Sequence, residues 1–288
     1  MKRVNWIIEK YIFDQYEDKL VHAIKTSGMN VIVYDDTEDR FSDFTEYVNK
    51  KFTQDDIVMM HGSLQLGRRM LKASAYPGIF LTLDNYECYN YYGYYGAPLL
   101  NSKYMMMGLN DVLRNEDNIF EVFGTDKVFI RPSNGYKTFT GQVLSKDNFK
   151  EEFDTLTKSY GGLDMNTLVL FAPPQDIDEE WRFIVVDGVV VSGSLYMDSK
   201  NRPTWEAYYD KPCENPMAYS FARICAEIYQ PDKAFTIDVC RLKDGSFKMI
   251  EINSLCCASW YGNDFNKVIN AMNRLCIKEY EDVYDPYE

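Results

Sequence analysis

Thr236-Ile237-Asp238-Val239 and, past an Asp244-Gly245 step, Met249-Ile250-Glu251-Ile252-Asn253 are the runs on which the fold turns. Each reads as a strand, because β-branched residues dominate and polar residues alternate with apolar ones. Asp-Gly supplies the positive φ of a tight hairpin turn, so Phe235 to Cys240 and Phe247 to Ile252 are expected to pair. Side chains two apart on a strand share a face, so Glu251 and Asn253 project together and Asp238 on the partner strand can join them. Two carboxylates and an amide oxygen make a hard oxygen cluster of the kind that suits Mg²⁺. A solvated polar face, with Ile250, Ile252 and Val239 packed opposite, explains the same alternation. The residues alone leave both readings open.

Outward from the hairpin, the pattern is mixed. Trp181 to Val191 reads as a second hairpin turning at Asp187-Gly188, and Pro216 to Tyr229 as a helix with Met217, Phe221, Ile224, Cys225 and Ile228 on one face. Asp264 to Tyr280 reads as a closing helix, and Val128 to Pro132 and Leu168 to Phe171 as strands. Upstream of residue 84 the runs alternate instead: strand-like Val4 to Ile8, Asn30 to Tyr34, Asp56 to His61 and Gly78 to Thr82, with helix-like Asp14 to Thr26 and Leu64 to Lys72 between them. Such alternation argues for a small, mostly parallel sheet flanked by helices. Residues 84 to 98 are dense in Tyr and broken by Gly and Pro, which marks a domain junction. Its rings either pack a loop onto the lobes or form a base-stacking platform, and no basic residues interleave them. The fold class is therefore α/β followed by α+β.

Composition excludes several function classes. The chain has 288 residues, 46% of them hydrophobic, enough to bury a core without disulfides or metal staples. A formal net charge of −13 repels phosphate backbones and anionic lipid, so neither nucleic acid nor membrane is expected as a partner. No apolar run approaches the roughly 20 residues of a membrane span. Seven cysteines without a CxxC pair, and no secretory leader, point to a reduced, cytoplasmic protein, with Cys256-Cys257 structural and buried. His22 and His61, the only histidines, leave little material for a His-based triad or a zinc site.

The hairpin resembles the metal-binding hairpin of ATP-grasp enzymes such as D-alanine:D-alanine ligase and glutathione synthetase, where an Asp and a Glu-x-Asn hold the Mg²⁺ ions that bridge the ATP phosphates. By that resemblance Asp238, Glu251 and Asn253 are the metal ligands. Four further stretches follow in the family's order. Asn101-Ser102-Lys103 resembles the entry to the ATP-grasp region, with Lys103 reaching the phosphates. Val128 to Pro132 resembles the next strand, which usually ends Lys-Pro; here that Lys is Arg131, as in a divergent clade associated with phage and bacterial genomes. Ser133 to Gly141 resembles the glycine-containing flap over the β- and γ-phosphates, in which Lys137, Thr138 and Gly141 take part. Leu170-Phe171-Ala172 resembles the hinge that holds adenine, and Glu179 to Gly188 resembles the strand whose Arg faces the reacting phosphate, here Arg182.

The resemblance implies an ATP-grasp fold with a Rossmann-like pre-ATP-grasp lobe over 1–98, a lid lobe over 99–172 and a C-terminal lobe over 173–288 bearing the metal hairpin. It implies ATP and Mg²⁺ as cofactors, and a ligase that activates a carboxylate as an acyl phosphate for attack by an amine, the substrates being small molecules or a peptide terminus. Arg182, Lys137 and Arg131 would carry the catalysis. A kinase acting on a small-molecule hydroxyl and a non-catalytic nucleotide sensor are the alternatives. Acceptor contacts are expected from His61, Ser63, Arg68 and Arg69 after the third strand and from Ser254 to Asn263 after the hairpin, although an Arg pair on a short helix also fits a solvated face.

Overall fold

The computed structural model describes residues 2–36, 44–53, 55–73, 78–135, 138–160, 163–200 and 211–284. The first layer is a parallel sheet in the order β2-β1-β3, formed by β1 (Val4–Glu9), β2 (Asn30–Tyr34) and β3 (Ile57–His61). Its helices are α1 (Glu17–Thr26), α2 (Phe44–Lys51) and α3 (Leu64–Lys72), and Ser63 caps α3 by accepting from the Leu66 amide. Gly78 to Thr82 does not add the expected fourth strand. Gly78 sits at φ +133 with its Cα so close to β3 that a Cβ would lie 2.1 Å from the Val58 carbonyl, and the Thr82 amide donates to the Asp232 carboxylate.

The Tyr-rich segment is also more regular than a loop. Cys88–Tyr95 forms helix α4, whose Tyr91, Tyr92 and Tyr95 are buried. The chain then runs along the edge of the last sheet, with the Leu100 amide donating to Met249 O and the Met249 amide to Pro98 O. Next come β4 (Met105–Gly108), α5 (Glu116–Phe123), β5 (Lys127–Pro132), β6 (Gln142–Ser145), α6 (Phe149–Ser159) and β7 (Leu168–Ala172). Their sheet, β4-β7-β5-β6, is antiparallel. Val128, Ile130, Val169 and Phe171 pack one of its faces against α5 and α6, and by strand alternation Phe129, Arg131, Leu170 and Ala172 take the other.

The third sheet, β11-β10-β8-β9, comprises β8 (Ile177–Val186), β9 (Val189–Asp198), β10 (Ala234–Leu242) and β11 (Phe247–Ser254). Both expected hairpin turns are present, with φ +49 and +75 at Asp187 and Gly188 and +87 at Gly245. Helix α7 (Pro216–Ile228) covers one face through only part of the set expected: Cys225 is buried and Phe221 and Ile228 pack against the core, but Met217 and Ile224 do not. Ala218, Ala222, Cys225 and Ala226 are its buried side, while Met217 is 63% and Ile224 52% exposed. Small side chains let this helix lie close on Phe183, Phe235 and Ile237. The other face is divided. Ile184, Val186 and Ala234 join the core of the first sheet under helix α8 (Phe265–Tyr284), whereas Arg182, Asp238 and Glu251 further along the same strands look toward the second sheet. Among the described residues no helix is long and apolar enough to cross a membrane.

Candidate active site

Strand register brings the charged residues together. Asp238 on β10 lies opposite Arg182 on β8 and opposite Glu251 on β11, so three neighbouring strands place Arg182, Asp238 and Glu251 at one level. Arg182 and Asp238 form a two-point pair, Nε donating to Oδ1 at 2.7 Å and Nη2 to Oδ2 at 2.6 Å, and the Arg182 Nη1 donates to Ser259 O. The guanidinium also lies over the rings of Tyr196 and Tyr261, which stack on each other at 4.8 Å. A bulge between Asp238 and Val239 leaves Ile250 as the extra residue of β11. Met249 and Ile252 therefore both reach the core, and Ile250, expected opposite the carboxylates, lines the cleft instead.

The second sheet closes over this row. Arg131 on β5 reaches Glu251, with Nη2 and Oε2 at 2.7 Å, and Asn253 Nδ2 donates to Glu251 Oε1 at 2.9 Å. Burial pushes the Glu251 carboxyl up, yet the Arg131 charge and the Asn253 hydrogen bond outweigh it and hold it below the usual range. Burial is also the largest effect on Asp238 and raises it, against the pull of Arg182. One member of the site was not singled out from sequence. Glu180, two residues before Arg182, shares its face and receives the Tyr196 hydroxyl at 2.6 Å. Burial raises its carboxyl to about 7, and the charges of Asp238 and Glu251 add to that. The alternation Glu180-Trp181-Arg182 was the signal that could have found it.

Two chambers meet here. The larger, about 480 Å³, lies between the sheets and is lined by Phe129, Arg131, Gly141, Glu180, Tyr196 and Glu251, among others. The smaller, about 210 Å³, lies between Arg182 and the first lobe. Gly135, Glu251 and Asn253 line both, so they form one continuous cleft. Gly141 is needed sterically, since a Cβ there would come within 2.6 Å of the Phe129 ring. Thr138 donates to Asn134 Oδ1 at 3.0 Å within the loop, and Lys137 lies outside the described residues. Lys103 is exposed and lines neither chamber. Leu170, Phe171 and Ala172 occupy an inner strand of their sheet, fully buried, and line neither chamber.

The expected acceptor contacts divide. Ser254, Cys257, Ala258, Ser259 and Tyr261 do line the small chamber. His61 does not: it is fully buried, stacked on Phe13 and tilted against Trp260, with Tyr16 Oη 2.9 Å from Nε2. Burial holds its imidazole down at about 3, so it stays neutral. Ser63 is spent on capping α3, Arg69 pairs with Asp36 at 2.6 Å and Arg68 is exposed; Leu64 is the residue of that helix that lines the chamber. Among the described residues no three His, Cys, Asp or Glu side chains gather as a metal cluster, and the Asp238 and Glu251 carboxylates are paired with Arg182 and Arg131. The donor set of Asp238, Glu251 and Asn253, all oxygen on adjacent strands, nevertheless has the hardness that suits Mg²⁺.

No curated protein sequence matches the chain. Solved structures share its fold at low identity. D-cycloserine synthetase DcsG aligns over 95% of this chain and 99% of its own, with a TM-score of 0.68 and 14% identity. D-alanine–D-alanine ligase from Bacillus anthracis aligns over 98% and 100%, with a TM-score of 0.64 and 11% identity. N5-carboxyaminoimidazole synthase from Aspergillus clavatus, solved with ADP and 5-aminoimidazole ribonucleotide, covers 95% of this chain and 77% of its own, with a TM-score of 0.62 and 14% identity. A family model, the ATP-grasp domain of R2K clade family 2, matches residues 117–271, more than half of the 288 residues, and the chain belongs to that ATP-grasp family.

Proposed function

We propose that the chain is an ATP-dependent ligase that activates a small carboxylate as an acyl phosphate for attack by an amine. One observation carries the reading: a second, compact chamber opens off the cleft beside Arg182, Glu251 and Asn253, where a carboxylate would meet the terminal phosphate of ATP bound between the sheets. A carboxylate oxygen of the acceptor attacks the terminal phosphorus, the bond to the bridging oxygen breaks, and ADP leaves with the electron pair. The amine then attacks the acyl carbon, the C–O bond breaks, phosphate departs and the nitrogen loses a proton.

The residues contribute charge and position. Arg131 from the lid and Arg182 from the base face the cleft from opposite sides, and guanidinium forks suit the oxygens of a transferring phosphoryl group. Each is held by a carboxylate, so nucleotide binding exchanges partners within charges already gathered. Asp238, Glu251 and Asn253 would hold Mg²⁺, which when bound neutralises phosphate charge. Gly141 admits the phosphates close to the loop backbone, and Lys137 adds a point charge.

The reading is tested by incubating the protein with Mg-ATP, hydroxylamine and a panel of carboxylates. A ligase yields a hydroxamate, with ADP and free phosphate in equal amounts. Phosphate retained on a hydroxyl-bearing metabolite, with no hydroxamate, would instead establish a kinase.

A further inference from the structure

The small chamber is chemically two-sided. Leu64 at the start of α3 and Leu81 and Leu83 in the connection that follows form an apolar wall on the first-lobe side. Across from them stands Arg182, and the only other charged side chain lining the chamber, among the described residues, is Glu251, already committed to Arg131 and Asn253. Arg182 gives Asp238 and Ser259 its Nε–H and one N–H from each terminal nitrogen, which leaves a second N–H on both for a ligand. An anionic group belongs at that end. Along the leucines a charged or hydrogen-bonding group would lose its water, and the hydroxyls that line the chamber beside them already donate elsewhere, Tyr86 to Asp232 and Ser254 to Phe80 O.

Size narrows the class further. A chamber of about 210 Å³ is somewhat larger than the ~150 Å³ apolar cavity that accommodates benzene. It takes an amino acid or short branched acid. Resting on the ligase reading for its chemistry, we propose that the acceptor is a compact monocarboxylate with an aliphatic body, on the scale of leucine or 3-methylbutanoate. Its carboxylate faces Arg182 and its branched end lies on Leu64, Leu81 and Leu83.

Binding decides this independently of turnover. Isothermal titration of 3-methylbutanoate, leucine, succinate and lysine into the full chain with Mg²⁺ and a non-hydrolysable ATP analogue should show the aliphatic acids binding roughly a hundredfold more tightly than the others. Leu83→Lys should weaken the aliphatic acids and tighten succinate by about tenfold, with analogue affinity unchanged as the control for folding. Leu64→Asn, at another half-buried wall position, should weaken the aliphatic acids in the same way. Equal or tighter binding of succinate or lysine by the unaltered chain, or aliphatic binding indifferent to both substitutions, overturns the proposal, as does failure of every carboxylate to bind. The hydroxamate assay separates the two readings. A leucine-class acid that binds without forming hydroxamate defeats the ligase and leaves the acceptor class, whereas hydroxamate from succinate alone defeats the class and leaves the ligase.

Discussion

A histidine surrounded by Phe13, Tyr16 and Trp260 pays for its burial through its protonation. Because the His61 imidazole is held near 3 while an unfolded histidine titrates near 6.5, the unfolded chain binds the extra proton between those values. Stability conferred at neutral pH is therefore lost as pH falls from about 6.5 toward 3, and His61→Phe should flatten that part of the curve. Melting temperatures of the two proteins between pH 4 and 7 would show it; parallel curves would contradict the assignment. In the cleft, Glu251→Gln should cut turnover more than tenfold at limiting Mg²⁺, equivalent to at least ~1.4 kcal/mol of transition-state stabilisation. Initial rates that match the unaltered protein would remove Glu251 from the site. Arg131→Lys should lose ATP affinity by titration, since an ammonium has no planar fork, though less than Arg131→Ala. At this scale the convergence of Asp238, Glu251, Asn253, Arg131 and Arg182 in one cleft was legible in the sequence, because alternation and motif order agreed there. His61 was misplaced because local pattern does not reveal which aromatic rings from elsewhere in the chain will enclose a side chain.

Among the elements, helices and strands were readable from periodicity, but their packing depended on neighbours. Helix α7 carries enough apolar residues to suggest two different faces, and close approach to the sheet selected the alanines over Met217 and Ile224. Replacing Ala222 by Leu should accordingly cost about 1 to 3 kcal/mol by overpacking, read from denaturant midpoints. The exposed substitution Ile224→Ala should cost far less, and equal costs would mean the helix turns its other side inward. The bulge at Ile250 is of the same kind: it shifts alternation by one residue, leaves no mark in composition, and is visible only in the pairing of β10 with β11. Gly78 to Thr82 has the composition of a strand, yet its polar groups go to side chains from elsewhere: the Thr82 amide and hydroxyl donate to Asp232, and Phe80 O accepts from the Ser254 hydroxyl.

Across the whole molecule the three sheets do not share one core. Helix α8, through Val268 and Met272, and Trp260 just before it share one core with the first sheet and with Ile184 and Val186 of the third, and the buried Trp6 Nε1 donates to Asn273. The outer face of the second sheet has a core of its own, built on Phe120, Phe149, Phe153 and Phe171, and only its inner face, at Leu170 and Ala172, meets the cluster around α4. Under the proposed function the second sheet would act as a lid over the nucleotide, and such a division would serve it, since opening need not disturb the base. Phe120→Ala makes the division measurable. Removing this ring from contact with Phe149 should cost about 3 to 5 kcal/mol, and each ~1.4 kcal/mol is a tenfold change in an opening equilibrium. Native-state hydrogen exchange should then speed up by roughly two to three and a half orders of magnitude in α5, α6, β5 and β6, while amides of β1, β3 and β10 keep their protection. A uniform acceleration in all three sheets would mean that the lid and base unfold as one unit, and that closure over ATP must bend the interface at α4 instead of using a separately stable lobe.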